Sequence, residues 1–277
     1  MDKKWLVFGA ALASLALLTP GCKQENRFLG RTVSAWMLEL DSDVDYERRA
    51  ACEALQLAGP EAAPAIDKLV KLLDDVNDGV SAFCATTLIK IGPAAVVPVE
   101  GVLAEAVEPN LRLHAATALI RIDSNHAGAR KALMGAFTGV GNAKIADKAA
   151  EVIIKQKGEL VDLLVVGLTD QFAPVRLRSA VALRKIGKPA VASTDALVKV
   201  AQAKDGSVEL RRSALSALAS VAAKEKVEPI LTALTDDESE DENVQAQAGY
   251  LLRYIGTRQA VTGFEAEEGE TAAAKAE

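Results

Sequence analysis

One pattern returns seven times along this chain and leaves few folds open to it. A small residue is followed four positions on by Leu or Ile, three further on by a third residue, usually apolar, and then often by Gly. The seven settings are Ala51/Leu55/Ala58/Gly59, Cys84/Leu88/Ile91/Gly92, Ala115/Leu119/Ile122/Asp123, Ala149/Ile153/Gln156/Lys157, Ser179/Leu183/Ile186/Gly187, Ala214/Leu218/Val221/Ala222 and Ala248/Leu252/Ile255/Gly256. Successive anchors (Leu55, Leu88, Leu119, Ile153, Leu183, Leu218, Leu252) lie 33, 31, 34, 30, 35 and 34 residues apart. Self-similarity at such a period marks a repeat architecture. The spacing i, i+4, i+7 puts the apolar side chains on one face of an α-helix. A Gly behind them supplies a left-handed residue that stops the helix, and Pro60, Pro93 and Pro189 bar its continuation.

A second apolar-periodic segment completes each unit, at 63–73, 97–107, 130–140, 160–168, 197–203 and 227–234. Each unit therefore reads as a helix, a sharp turn and an antiparallel helix. A single pair cannot bury both its apolar faces, whereas a stack of pairs buries a continuous core through nearest-neighbour interfaces. The expected fold is all-α: an α-α superhelix, or solenoid, of about seven helix pairs over residues 44–258. Composition agrees. Half the residues are hydrophobic but only 4% are aromatic, which suits helices packed through alanine and not a β-sandwich. A net charge of −6 argues against a broad basic face for nucleic acid.

The first residues speak to location. Asp2-Lys3-Lys4 precedes a fourteen-residue uncharged apolar run, Trp5 to Leu18, then Thr19-Pro20-Gly21 and Cys22. The run is short of the roughly 20 residues a spanning helix needs, and suits the core of a signal peptide. The segment resembles a bacterial lipoprotein signal, cut before a cysteine that receives lipid, although Thr19 stands where that pattern prefers a branched apolar residue. Ordinary cleavage near the same point and an uncleaved anchor are the alternatives. The resemblance implies lipidation of Cys22, a signal peptide over 1–21 and a polar tether over 22–27. Lys23, not aspartate, after the cysteine is similar to sequences sorted to the outer membrane.

A second resemblance rests on Val175-Arg176-Leu177-Arg178-Ser179-Ala180-Val181-Ala182-Leu183-Arg184-Lys185-Ile186-Gly187, which looks like the HEAT repeat in the short form also found in phycobiliprotein lyases. That family carries Arg seven positions before the anchor. Arg48, Arg112, Arg176 and Arg211 fill this place, while Ser81, Ala146 and Gln245 depart from it. Gly59-Pro60-Glu61-Ala62-Ala63-Pro64 and Gly92-Pro93-Ala94-Ala95 also match. Ahead of the array, Thr32-Val33-Ser34-Ala35-Trp36 resembles the opening helix of some bacterial HEAT-type envelope proteins. Residues 28–43 are read as a helix capped by Thr32, covering the first repeat. Residues 259–277, acidic and Ala-rich, are expected to be disordered.

Candidate chemistry is sparse. Cys52 and Cys84 sit on first helices of neighbouring repeats, one place apart in the repeat, an offset that turns one of them by about 100°. Two separate buried thiols are therefore the preferred reading, and a disulfide the alternative. No CxxC or His pair suggests zinc, and neither a metal nor any cofactor is expected. His114 and His126 have no nucleophile or carboxylate at recognisable spacing and read as helix-edge or surface residues. The acidic run Asp236 to Glu242 reads as a solvated loop. Tyr250 and Tyr254, four apart, read as cover for the last layer. No phosphate loop, nucleophile elbow or HExxH motif occurs, so no enzyme activity is expected.

In HEAT-type arrays the second helices usually line the concave side. That resemblance places partner contacts on the exposed charged residues of those helices: Asp67, Lys71, Glu100, Glu105, Lys131 and Lys199. The implied role is a membrane-tethered scaffold for another protein or peptide at the cell envelope, facing the periplasm or exterior. The alternatives are a lyase-like or chaperone-like helper, against which export argues, and a self-assembling structural protein.

Overall fold

A computed structural model describes residues 26–139 and 142–255. The signal-like segment, Cys22, most of the tether, Gly256 and the tail lie outside the described residues. Near the start of the fold lies a two-residue turn, Leu29-Gly30, both with positive φ. This turn joins β1 (Arg27–Phe28) to β2 (Arg31–Thr32) in an antiparallel hairpin. Helix α1 (Val33–Glu39) follows, with the Thr32 hydroxyl accepting the Ala35 N–H at 3.3 Å. The Trp36 indole donates to the Phe28 carbonyl at 2.6 Å, and the Arg31 guanidinium lies 4.7 Å from the ring centroid. Asn26 donates to the Glu61 carboxylate at 3.0 Å. Residues 26 and 27, read from sequence as tether, have partners in the fold: Asn26 bonds Glu61 and Arg27 pairs with Thr32.

Six helix pairs come next. The first helices are α2 (Asp45–Ala58), α4 (Asp78–Ile91), α6 (Pro109–Ile122), α8 (Ala143–Lys155), α10 (Ala173–Ile186) and α12 (Val208–Val221). Their partners are α3 (Ile66–Lys71), α5 (Val96–Glu105), α7 (Ala127–Phe137), α9 (Val161–Gly167), α11 (Thr194–Gln202) and α13 (Lys224–Asp236). Helical residues 242–255, α14, begin a seventh unit. First helices stack on first helices, as α2 on α4 and α10 on α12, and the second helices α3, α5, α7, α9 and α11 also pack on the next unit's first helix. Among the described residues no single helix is long and apolar enough to cross a membrane.

The core is the anchor row. Leu55, Leu88, Leu119, Leu183 and Leu218 are fully buried and Ile153 nearly so, in one continuous apolar cluster running from Leu40 to Leu251. Leu252 is the exception. It is half-buried, and Leu251 takes the inward place, because α14 is the last described layer and no further described helix covers its outer face.

The turns differ from the left-handed stop expected of Gly59, Gly92 and Gly187. Their φ values are positive (57°, 84° and 70°), but ψ is −127°, −141° and −140°, close to the extended region that glycine alone occupies with ease. Repeats without Gly turn otherwise: Asp123 and Ala222 are extended, and Lys157 takes φ 51°. A Cβ at Gly187 would have room, its nearest neighbour being the Ser220 carbonyl at 3.8 Å. Gly187→Val should therefore lower stability by about 1–3 kcal/mol through the backbone alone. Gly187→Ala should lose nearly as much in thermal unfolding. A harmless alanine there would show that the turn relaxes.

The arginine row staples the loops between repeats. Arg48, Arg112 and Arg176 donate to the carbonyls of Ser42, Ala106 and Asp170, each six residues back, and Arg211 to that of Ala201 at 2.9 Å. Two of the departures keep the bond with other chemistry. The Ser81 hydroxyl donates to the Asp75 carbonyl at 3.1 Å and the Gln245 amide to the Asp237 carbonyl at 2.6 Å. The position is filled by whichever donor reaches an otherwise orphaned loop carbonyl.

Candidate functional site

Among the described residues, the second-helix side holds a groove of about 770 Å³ between α5 and α7, closed below by the first turns of α6 and α8. Leu103, Leu113 and Ile145 form the floor and are each 5–7% exposed. Equivalent second-helix leucines in other layers, such as Leu69, Leu164 and Leu197, are fully covered. The space exists because the α7 wall is built from small residues. At Gly135 a Cβ would meet nothing within 4 Å. Val107, at the lip, is 88% exposed.

The rim is charged. Glu100 stands on α5, Lys131 on α7 and Arg112 on α6, all exposed. His126, the N-cap of α7, accepts the Ala129 N–H through Nδ1 at 3.1 Å. Its Nε2 therefore carries the proton in the neutral ring and donates to Glu100 Oε1 at 2.7 Å. One imidazole thus ends a helix and pins a carboxylate. The sequence places His126 at a helix edge or on the surface without distinguishing the cap, which the Asp123-Ser124-Asn125 turn before it signals.

The six charged residues expected on the second helices are all exposed there. Only Glu100 and Lys131 line the groove; Asp67, Lys71, Glu105 and Lys199 stand apart from it. His114 is a structural residue, its Nδ1 lying 3.2 Å from the Leu73 carbonyl of an earlier unit.

Two readings from sequence are corrected. Cys52 and Cys84, both fully buried, are paired as a disulfide, with Cα atoms 5.5 Å apart. Helices α2 and α4 stack directly on one another, with both cysteines buried between them, so the one-place offset in the repeat does not carry the two residues apart. The acidic run is not uniformly solvated. Glu240 is 7% exposed and receives both Arg211 Nη groups, at 2.7 and 2.5 Å. The hydrogen bonds from Arg211 hold its carboxyl below the usual glutamate range, against the opposing push of burial. Asp237 takes the Lys204 ammonium at 2.8 Å and falls to about 2, chiefly through that bond and the Ser239 hydroxyl. At the other end of the array, burial pushes the Asp75 carboxyl up, but the Arg48 guanidinium and the Asn77 N–H outweigh it and leave it lowered. Tyr250 and Tyr254 are stacked, centroids 6.4 Å apart, and about half exposed.

The groove offers recognition chemistry. Among the described residues no group of three His, Cys, Asp or Glu side chains is placed to hold a metal ion. Polar side chains at the rim surround an apolar floor, the usual build of a binding cleft.

The architecture defines a class: a helical-repeat solenoid of the HEAT/armadillo-like kind. No family model and no curated protein matches the chain. Solved structures similar to it include human deoxyhypusine hydroxylase in complex with glycerol, at 16% identity over 81% of this chain and 84% of that one, TM-score 0.39. The complex of CpcE and CpcF of phycocyanin lyase from Nostoc sp. PCC7120 is 20% identical over 81% and 94%, TM-score 0.37. A designed armadillo repeat protein in complex with the peptide (KR)4 is 20% identical over 80% and 99%, TM-score 0.35.

Proposed function

We propose that this protein is a lipid-anchored scaffold of the cell envelope that binds a protein or peptide partner along its second helices and catalyses nothing itself. The groove between α5 and α7 carries the binding half of this reading: an open, apolar-floored cleft whose charged rim contains no nucleophile paired with a base. Its address is supported by the apolar run ending before Cys22 and by the pairing of Cys52 with Cys84. Disulfides persist in oxidising compartments and are rare in the cytosol. Acylation of Cys22 with more than one chain would hold the protein firmly at a membrane, and Lys23 favours the outer one.

Photo-crosslinking in intact envelopes tests the scaffold. A crosslinker placed in turn at Lys71, Glu105 and Lys199 should capture a partner, while one at Arg121 on the first helix α6 should not. Partner capture from Arg121 alone would overturn the assignment. Cys22→Ala should release the protein from the membrane fraction; unchanged membrane association would remove the anchor. Light scattering that rises with concentration of the purified chain would favour self-assembly instead.

A further inference from the structure

The groove's charge is opposite to the chain's. In a protein of net charge −6, its rim carries two cations and one carboxylate. That carboxylate, Glu100, is already engaged by the His126 N–H. Lys131 forms no ion pair among the described residues, and neither does Arg112, which donates only one Nη group, to the Ala106 carbonyl at 3.3 Å. The contrast within the arginine row is informative. Arg48 and Arg211, which have carboxylate partners, are buried, whereas Arg112 at the groove is exposed. A guanidinium with free donors in a fork suits a carboxylate.

Between these cations lies the floor of Leu103, Leu113 and Ile145, with exposed Val107 at its lip. We infer that the α5–α7 groove binds an extended peptide segment of a partner protein, seating one large apolar side chain on that floor and flanking carboxylates on Arg112 and Lys131. The inference rests on the scaffold reading and adds the partner's chemistry: acidic and apolar, not basic. The open rim favours a chain that passes through over an acyl tail, which would leave much of its length in water. Glu100, pinned by His126 on the same rim, repels a third carboxylate and sets the register.

Three synthetic peptides test it against the purified full chain, with fluorescence anisotropy as the readout. One places Phe between Glu residues, one places the same Phe between Lys residues, and one replaces Phe by Gly in the acidic frame. The acidic Phe peptide should bind, and each of the others should bind at least about tenfold more weakly, with affinity falling as salt is added. Arg112→Glu/Lys131→Glu should reverse the preference between the Glu and Lys peptides. Gly135→Leu, at a helical position where an added Cβ meets nothing within 4 Å, should abolish binding while circular dichroism and melting temperature stay at parental values. Equal binding of the acidic and basic peptides, no binding of any, or undiminished binding by Gly135→Leu would overturn the inference. So would competition by palmitate that exceeds competition by unlabelled acidic peptide. Crosslinks from Lys71, Glu105 or Lys199 in the envelope would keep the scaffold standing even then, whereas their absence would sink the scaffold whatever the peptides do.

Discussion

Glu240→Ala should destabilise the protein by about 3–5 kcal/mol, the cost of stranding a buried guanidinium. Arg211 is 2% exposed, and its Nη groups reach only Glu240, at 2.7 and 2.5 Å, while Nε holds the Ala201 carbonyl. The pair ties α12 to the loop that launches α14, so the loss should appear first as detachment of the last layer, seen as faster amide exchange over 242–255. Arg211→Met/Glu240→Leu should recover part of the stability, because no charge is then left buried. It should not recover all, since the Ala201 carbonyl loses its donor, worth about 1–3 kcal/mol. Denaturant unfolding of the three proteins measures this. A single variant within about 1 kcal/mol of parent would mean that water reaches the pair.

Acid should act on the same contact. Glu240 is held below its ordinary value of 4.5, and Asp237 below 3.8 at about 2. A carboxyl lowered in the folded state binds fewer protons there than in the unfolded chain. Its contribution is therefore whole above the unfolded value and fades as pH falls through the folded one. Stability should drop between pH 4.5 and about 2, with the last layer leading and the Asp75–Arg48 pair of the first repeats following the same sign.

What sequence reveals here is what repeats. The i, i+4, i+7 stripe identified the first helices through residues that proved buried, Leu55 to Leu218, because helix periodicity and burial are one constraint. Second helices were legible to within a few residues of their ends. The groove was not, since it is made of absences: Gly135 and its small neighbours matter through side chains they lack, on helices brought together only by the stack. Nor was the burial of Glu240, because charge counted over a run hides one carboxylate chosen by an arginine 29 residues earlier. The arginine row held a usable clue. An arginine in that row calls for an acceptor: a backbone carbonyl in all four cases, and an acid as well in the loops after α3 and α13.

Removing the Cys52–Cys84 bond should cost about 3–4 kcal/mol, the loop-closure entropy expected for a crosslink spanning a few tens of residues; here the separation is 32. Cys52→Ala/Cys84→Ala isolates the effect, because equivalent first-helix positions such as Ala115, Ala149 and Ala214 hold alanine against the same kind of neighbour. The loss should fall on the first two repeats, where α2 packs on α4, and should match that caused by reducing the parent protein. Thiol counting provides the decisive control, since the chain has three cysteines. With Cys22 acylated and the other two bonded, the unfolded, unreduced protein should show no free thiol. One free thiol would mean that the bond forms and Cys22 is bare. Two or more would mean that Cys52 and Cys84 stay reduced, and the support the bond lends to an oxidising compartment would go with it.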